Sequence, residues 1–389
     1  GRGGFLGRVL GSVAAALPAH AKCPTIVIPG DEDEAEPLSA LDLDPRPNEA
    51  PVFAGVDGSQ LSRIAALAAA EIASEAETAL SLVTALHPVM QSQDGAWVGW
   101  SGRADTDLEP FEADGMHLVP VPLSQDEVAH YYEGFSNATL WPLYHDVIVD
   151  PVYHRTWWNA YLEVNRRFAE AAAEAAAQGA TVWVHDYQLQ LVPQMLRRLR
   201  PDVRIGFFNH IPFPPVELFG QLTWRKQVVE GLLGADLIGF QRTGDAANFL
   251  RAVRRFTDFN PRGQSVTIGQ HWTRPERHVR VGTFPISIDS AQVDELSRTE
   301  KVEQRAAELR RELGEPDVLL LGVDRLDYTK GIRHRIKAYG ELLQDGRLDV
   351  EDATLVQVAS PSRENVGAYQ DLREHVEGLV GRINGEFGE

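Results

Sequence analysis

The sequence predicts an α/β protein built on parallel β-sheets. From about residue 80 onward, short apolar or β-branched runs alternate with amphipathic helical stretches, and each run ends in a polar or Gly/Pro cluster. This alternation is typical of parallel sheets with helices on both faces. The composition agrees, because 43% hydrophobic and 24% charged residues are ordinary globular values. At 389 residues the chain has room for two or three domains.

The first 79 residues differ in composition from the rest of the chain. Residues 1–30 are small and apolar, whereas residues 31–51 are acidic and proline-rich, which is typical of a solvated linker. A short strand at 52–56, followed by an alanine-rich helix at 61–86, forms a candidate βα unit.

From about residue 80, apolar runs predict the strands, and apolar residues at helical spacing predict the helices. The expected strands are 181–184, 204–208, 237–240, 279–284, 318–323 and 354–358. The expected helices are 157–177, closed by Gly179, then 189–199, 217–233, 246–256, 290–313, 332–345 and 363–383.

The charge balance limits the partners of this protein. Lys and Arg number 37 against 56 Asp and Glu, a net charge of −19, which repels nucleic acid and anionic lipid. We therefore expect no nucleic acid partner and no membrane partner. An anionic ligand would need a local basic cluster.

The cysteine count and the apolar runs predict a cytoplasmic protein. A single cysteine, Cys23, excludes an internal disulfide framework and a multi-cysteine zinc site. No apolar run reaches the length of a membrane-spanning helix, and Arg8 interrupts the signal-like stretch at 5–21. Closed homo-oligomers are common among soluble enzymes, so we include a homo-oligomer among the expected states.

The turn after the strand at 318–323 carries the clearest signal for chemistry. It presents Arg325 and Lys330 five residues apart, and Gly331 lets the backbone enter a helix whose N-terminal amides favour an anion. This pattern predicts a phosphate or diphosphate site. The alternative is a structural ion pair between Arg325 and Asp324 or Asp327, and the sequence leaves both open.

Two further segments have both a structural and a functional interpretation. His210 follows a predicted strand and precedes a proline-rich turn, which favours a functional histidine over a satisfied polar one. The aromatic stretch 131–141 is typical of a core, but Tyr and Trp faces also stack on sugars, so a carbohydrate pocket competes.

Several motifs are absent from the sequence. Without a Walker or dinucleotide fingerprint, a Gly-x-Ser-x-Gly elbow or a His-Glu-x-x-His motif, we expect no cofactor and no metal.

Six segments together identify a family resemblance. They are AWVGWSG at 96–102, YYEGFSNATLW at 131–141, VHDY at 184–187, GFFNHIPFP at 206–214, GVDRLDYTKG at 322–331 and SR at 362–363. On these segments, from about residue 82 to the end, the chain resembles the trehalose-6-phosphate synthases of glycosyltransferase family 20, and its sequence is most similar to actinobacterial members. These are retaining glucosyltransferases with two Rossmann-like domains in the GT-B fold.

The resemblance implies two substrate sites. The glucose 6-phosphate site would be formed by Trp100, Tyr132, Trp141, Asp186 and Arg363, in which Tyr132 and Arg363 hold the phosphate and Asp186 holds a sugar hydroxyl.

The implied donor site would bind a nucleoside diphosphate glucose. Arg325 and Lys330 would hold the diphosphate, and His210 would contact the transferred glucose. With Asp186, these three residues are the catalytic candidates.

The implied reaction transfers glucose from UDP-glucose, or another nucleoside diphosphate glucose, to glucose 6-phosphate and yields trehalose 6-phosphate. The acceptor hydroxyl attacks from the face that the nucleotide leaves, and the departing phosphate accepts its proton. Catalysis then depends on positioning and charge neutralisation and needs no paired carboxylates.

Some family motifs have no match in this chain. They are the Asn-Arg-Leu-Pro motif after the first strand, a Gly-Gly pair whose position holds Leu80 and Ser81, and an Asp-Gly-Met-Asn-Leu-Val-x-Lys-Glu segment. We therefore expect a non-matching leader at 1–79, an acceptor-binding Rossmann-like domain at 80–295 and a partial nucleotide-sugar domain at 296–389.

The unmatched motifs leave an alternative function open. The chain would then be a catalytically impaired fragment or pseudoenzyme that binds glucose 6-phosphate or partners an intact synthase. A GT-B enzyme of the glycogen-synthase kind is disfavoured, because the stretch 131–141 and the pair 362–363 resemble a phosphosugar acceptor site.

Overall fold

A computed structural model of the chain describes residues 25–28, 95–113, 116–269, 276–286, 290–360, 363 and 365–387. The chain divides into two compact units, Gly1–Ile288 and Asp289–Glu389. Cys23, the predicted linker at 31–51, the predicted βα unit at 52–86 and Ser362 lie outside the described residues.

A nine-stranded sheet forms the centre of the first unit, in the order β3-β4-β2-β1-β5-β6-β7-β9-β8. Its strands are β1 Thr25–Ile28, β2 Ala96–Gly99, β3 Phe111–Ala113, β4 Met116–Pro120, β5 Thr181–His185, β6 Arg204–Asn209, β7 Leu237–Phe240, β8 Ser265–Ile268 and β9 Arg277–Thr283.

The expected parallel pairing is present in this sheet, and antiparallel strands are added to it, so the sheet as a whole is mixed. Strands β5, β6, β7 and β9 are parallel neighbours, as are β2 and β4. Strand β1 is antiparallel to both β2 and β5, while β3 and β8 pair antiparallel at the two edges. Strand β1 was not predicted. It lies in the predicted leader and pairs with β2 and β5 near the centre of the sheet.

Helices cover this sheet, and their bounds differ from the predicted ones. Among the described residues of the first unit, the helices are α1 Gln125–Glu127, α2 Trp141–Tyr144, α3 Arg155–Ala175, α4 Val192–Leu199, α5 Val216–Phe219, α6 Arg225–Leu232 and α7 Thr243–Phe256. The single helix predicted at 217–233 is two helices, because the backbone N–H of Gly220 closes α5 on Val216 and α6 begins only after Trp224. The helix predicted from 189 begins at Val192, after a 3₁₀ turn at Tyr187–Leu189.

The aromatic stretch forms a 13-residue π-helix, Val128–Leu140, between α1 and α2. Helix α1, which leads into it, begins with a capping box, in which Ser124 and Glu127 exchange side chain to backbone hydrogen bonds. Tyr131 and Phe135 are fully buried. Most of this stretch is therefore hydrophobic core. Long π-helices are rare, and they occur frequently at functional sites.

In the second unit, β10 Val318–Arg325 and β11 Ala353–Ser360 form a two-stranded parallel sheet. Its helices are α8 Ser290–Ser297, α9 Glu300–Glu312, α10 Ile332–Gln344 and α11 Gly367–Phe387. The helix predicted at 290–313 is interrupted, since Thr299 is the extended N-cap of α9. The helix predicted from 363 begins at Gly367, because Arg363 has a positive φ of 52° that no helix accommodates.

One face of this small sheet is covered. Leu326, Ile332, Ile336 and Val376 form a buried cluster with apolar side chains of β11 and α11. The core of the second unit thus joins the turn after β10 to the helices α10 and α11.

A close approach of backbone to backbone fixes α6 against α4. A Cβ added to Gly234, just after α6, would lie 2.1 Å from the backbone nitrogen of Gln194. Glycine is required here by space, because backbone atoms cannot rotate away as a flexible side chain can.

We expect Gly234→Ala to lower the free energy of unfolding of the first unit by about 3 kcal/mol, because the added methyl overpacks this contact. All eight tryptophans precede residue 289, so urea unfolding followed by tryptophan fluorescence reports on this unit. Gly244→Ala is the control, since nothing lies within 4 Å of its added Cβ. An equally mild effect of both changes would contradict the assignment.

Candidate active site

Three predicted site residues of the first unit follow strands that end at one edge of its sheet. Because β2 and β5 are both antiparallel to β1, they run in the same direction, and β6 is parallel to β5. Trp100, Asp186 and His210 are the residues that directly follow these three strands. The carboxyl ends of such strands are where open α/β sheets bind ligands.

Asp186 is held in a strained backbone conformation at this edge. Its φ of 71° and ψ of 172° lie in a region that is almost exclusive to glycine. Two hydrogen bonds hold the conformation: its N–H donates to the Phe208 carbonyl at 2.8 Å, and its Oδ1 accepts from the His210 N–H at 3.0 Å. Strain of this kind persists where the surroundings over-determine it, and it clusters at functional sites.

Two histidine side chains meet behind this edge. The Nδ1 of His185 lies 2.8 Å from the Nε2 of His210, and their rings are nearly parallel. His185 is fully buried and His210 is partly buried. Burial lowers the pKa of His210 to about 3, and burial with the neighbouring His210 lowers the pKa of His185 well below its usual value. Both rings are therefore neutral at pH 7, and one donates a hydrogen bond to the other.

The aromatic candidates lie next to the same strand ends. The rings of Trp100 and Tyr132 are 5.6 Å apart, and the indole N–H of Trp100 donates to the carbonyl of Arg103. Trp141 lies 5.6 Å from the ring of Tyr187, the neighbour of Asp186. All three side chains are largely buried. A carbohydrate pocket built on them stays a prediction.

In the second unit, the turn after β10 has the predicted geometry. Strand β10 ends at Arg325, a 3₁₀ turn covers Tyr328–Lys330, and Gly331 adopts a left-handed φ of 67° as the N-cap of α10. Arg325 and Lys330 therefore lie on either side of a tight turn that leads into a 13-residue helix.

The buried carboxylate of Asp327 organises this turn. It is fully buried and accepts five hydrogen bonds, two of them from Thr329 at 2.9 Å. The other donors are Arg325 at 3.4 Å, Arg363 at 3.3 Å and the Tyr369 hydroxyl at 3.0 Å. Burial acts to raise the pKa of Asp327, but Arg363, Arg325 and Thr329 outweigh it and hold the pKa below its usual value. Asp327 is thus a carboxylate at neutral pH.

The ion pair that the sequence left open is present, and Arg325 pairs with Asp327. Asp324 pairs instead with Arg335, at 2.7 Å. Among the described residues, the Asp327 carboxylate pairs with two guanidinium groups, and Lys330 brings a third positive charge close to them. Burial and the nearby Arg325 lower the pKa of Lys330.

The structure groups the predicted site residues by unit. Trp100, Tyr132, Trp141, Asp186 and His210 belong to the first unit, and Arg325, Lys330 and Arg363 belong to the second. Arg363, which the resemblance assigned to the acceptor phosphate, shares the Asp327 carboxylate with Arg325.

Sequence reasoning missed three residues that organise these groups. In the sequence, His185 stands out only as part of the VHDY motif, and Asp327 only as an alternative ion-pair partner of Arg325. Tyr369 lies 42 residues from Asp327, and no local pattern connects them. The hydrogen bond from Arg363 to the Tyr369 hydroxyl closes the same network.

The described ranges contain neither a metal-binding cluster nor a membrane-spanning helix. His, Cys, Asp and Glu side chains there form no group of three or more that could hold a metal ion. None of the helices in those ranges is long and apolar enough to cross a membrane.

The fold, with polar residues after the strands of two α/β units, is of the GT-B class, and two solved trehalose-6-phosphate synthases are similar to it with TM-scores of 0.67 and 0.69. The family model described as glycosyltransferase family 20 matches residues 60–389. The chain belongs to that family.

Individual relatives match most of this chain and a smaller share of themselves. A trehalose-6-phosphate synthase of Mycobacterium sp. (strain JLS) is 61% identical over 311 residues, which cover 79% of this chain and 64% of the relative. The chain thus spans less than two thirds of that relative's length.

Two solved structures with substrate or analogue bound are similar to this chain. One is an α,α-trehalose-phosphate synthase (UDP-forming) from Burkholderia xenovorans in complex with glucose-6-phosphate, with TM-score 0.67, 32% identity, and coverage of 76% of this chain and 65% of that one. The other is described as trehalose-6-phosphate from E. coli bound with UDP-2-fluoro glucose, with TM-score 0.67, 30% identity, and coverage of 88% and 70%.

We expect the histidine pair to make the first unit less stable in acid. An unfolded histidine takes up a proton near pH 6.5, whereas the folded pKa of His210 is about 3. The stabilisation is complete above pH 6.5 and falls as the pH drops toward 4, by up to about 1.4 kcal/mol per pH unit for each histidine. His210→Gln should reduce this slope by one histidine's share in urea unfolding at pH 4–7. His278→Gln, at an exposed site, is the control; the wild-type slope in His210→Gln would contradict the assignment.

We expect Asp327→Asn to destabilise the second unit by about 3–5 kcal/mol, because two buried guanidinium groups lose their shared counter-charge. Hydrogen exchange of peptides from 318–360 measures the change locally. Asp294→Asn removes an exposed ion pair with Arg298 in the same unit and should cost less than about 1 kcal/mol. Unaltered exchange in Asp327→Asn would refute the organising role of this carboxylate.

Proposed function

We propose that this chain carries the substrate-binding residues of a retaining glucosyltransferase that moves glucose from UDP-glucose to glucose 6-phosphate and forms trehalose 6-phosphate. The observation that carries the proposal is the cation group of Arg325, Lys330 and Arg363 around one carboxylate, in a chain of net charge −19. Such a group suits a ligand with several negative charges.

The diphosphate of the donor is the natural ligand of this turn. A guanidinium fork forms paired hydrogen bonds with phosphate oxygens, and an ammonium supplies a compact point charge. Arg325 and Lys330 provide one of each, at the entry to a helix whose N-terminus favours anions. Their charge would also stabilise the negative charge that grows on the leaving diphosphate during transfer.

The first unit would bind the sugars. Trp100, Tyr132 and Trp141 offer aromatic faces with polar edges, which suit sugar rings. Asp186 would accept a hydrogen bond from a sugar hydroxyl, and His210 would contact the transferred glucose. The role of Arg363 as a ligand of the acceptor phosphate is part of this proposal and rests on the family resemblance.

The chemistry is a substitution at the anomeric carbon of the donor glucose. The bond from this carbon to the diphosphate oxygen breaks, and a bond to the acceptor hydroxyl oxygen forms on the same face. The hydroxyl proton passes to the departing phosphate oxygen, so atoms and charge balance without a protein nucleophile. The protein's contribution is to position both substrates and to stabilise the leaving diphosphate.

The relatives support the substrates of this proposal. Family membership is established for residues 60–389, and the named relatives are trehalose-6-phosphate synthases. The single cysteine in 389 residues supports a reducing, cytoplasmic location. Because this chain spans 64% of that relative's length, the complete activity is part of the proposal.

The proposal predicts UDP release that depends on glucose 6-phosphate when purified protein is given UDP-glucose. Arg325→Ala should lower the rate and weaken UDP-glucose binding in calorimetry by about 100-fold each, because a charge-assisted fork is lost. Arg325→Lys keeps the charge without the fork and should lose less.

The matched control is Arg298→Ala, which removes a cation from an exposed site in the same unit. It should leave rate and binding unchanged. Glucose 6-phosphate binding without any UDP release would favour the non-catalytic alternative, and unchanged donor affinity in Arg325→Ala would refute the diphosphate assignment.

A further inference from the structure

His210 is held at three of its four polar atoms. Its backbone N–H donates to Asp186 at 3.0 Å, and its carbonyl accepts a long 3.5 Å hydrogen bond from Gln241. Its ring Nε2 meets His185 at 2.8 Å. The ring Nδ1 makes no hydrogen bond to any residue that the structure describes. It is therefore the one polar atom of His210 left for a ligand.

His185 is itself rigidly placed. It is the last residue of β5, its backbone pairs with Phe208 of β6, and its ring packs 4.2 Å from the ring of Trp183. Its side chain is fully buried. This ring therefore has little freedom to turn, and it can fix the ring that contacts it.

The surroundings of His185 decide which ring carries the shared proton. Its Nε2 is buried and has no hydrogen-bond partner within the described part of the chain. A buried N–H without a partner is rarer and costlier than a buried lone pair without one. The proton of His185 therefore belongs on Nδ1, where it is donated to His210. Because Nε2 of His210 then accepts, its own proton belongs on Nδ1.

We propose that His185 is a positioning residue that fixes His210 in the Nδ1–H tautomer, so that His210 meets its ligand as a neutral hydrogen-bond donor. The acceptor would be a hydroxyl or phosphate oxygen of a sugar nucleotide. The identity of this ligand rests on the proposed function, whereas the tautomer does not. The low pKa values of both rings agree with a neutral pair.

A neutral donor suits this position. An imidazolium would carry its own charge into a partly buried site, whereas the neutral ring places a directed N–H without that desolvation cost. The tautomer matters because the reversed order would present a lone pair at Nδ1, which would repel a phosphate oxygen. His185 thus determines which kind of atom His210 binds.

The tautomers can be read directly by long-range ¹H–¹⁵N NMR of the full chain labelled with ¹⁵N-histidine at pH 7. His185→Asn and His210→Gln identify the two sets of signals. We expect protonated Nδ1 and bare Nε2 for both rings, in the absence of any ligand. Exposed His334 is the internal control and should show averaged tautomers. A protonated Nε2 on His210 would overturn the proposal.

Two variants test the positioning role. The amide nitrogen of His185→Asn occupies the place of Nδ1 and can still donate, whereas His185→Leu cannot. We expect kcat/KM for UDP-glucose to fall about tenfold in His185→Leu, with recovery to within about threefold in His185→Asn. His210 should lose its single tautomer in His185→Leu only.

The outcomes separate this inference from the proposed function. Equal kcat/KM and unchanged His210 tautomer in His185→Leu would refute the positioning role. If the chain lacks transferase activity, the NMR spectra still decide the tautomer. His117→Gln, at an exposed site, should change neither readout.

Discussion

The second unit depends on one buried carboxylate that holds two guanidinium groups. Without Asp327, Arg325 and Arg363 would repel each other in a place where water cannot screen them. The carboxylate also fixes the turn, since Thr329 donates to it twice and the turn leads directly into α10. A single side chain therefore sets the position of the cations and the entry of the helix. Three cations are thereby gathered in one place of an acidic protein, an arrangement that suits an anionic ligand.

The strand ends of the first unit carry mostly uncharged groups. Its strand ends carry aromatic side chains, a strained aspartate and a neutral histidine pair, which suit uncharged hydroxyls better than phosphates. Asp186 is held in its strained conformation by hydrogen bonds to Phe208 of β6 and to His210, which directly follows β6. The strand pairing that builds the sheet therefore also shapes the site. The two units thus differ in the electrostatic environment that their strand ends provide.

The sequence predicted the buried parallel strands well and the rest of the sheet poorly. The run 237–240 coincides with β7, because a strand buried on both faces is a continuous apolar run. Strands β3 and β8 are short and lack such runs. Thr25–Ile28 of β1 is an apolar run, but its antiparallel partners, β2 and β5, lie far along the chain. The same limit applies to the sites. Arg325, Lys330 and His210 lie at or shortly after strand ends and were predicted. Tyr369 donates to Asp327 from helix α11, 42 residues further along the chain.

A crystal structure of this chain grown with UDP would show where the diphosphate lies. We expect diphosphate oxygens within hydrogen-bond distance of the Arg325 guanidinium and the Lys330 ammonium, with Asp327 still bound to Arg325. A diphosphate bound elsewhere on the chain, with Arg325 and Lys330 making no contact to it, would refute the assignment of this turn to the donor.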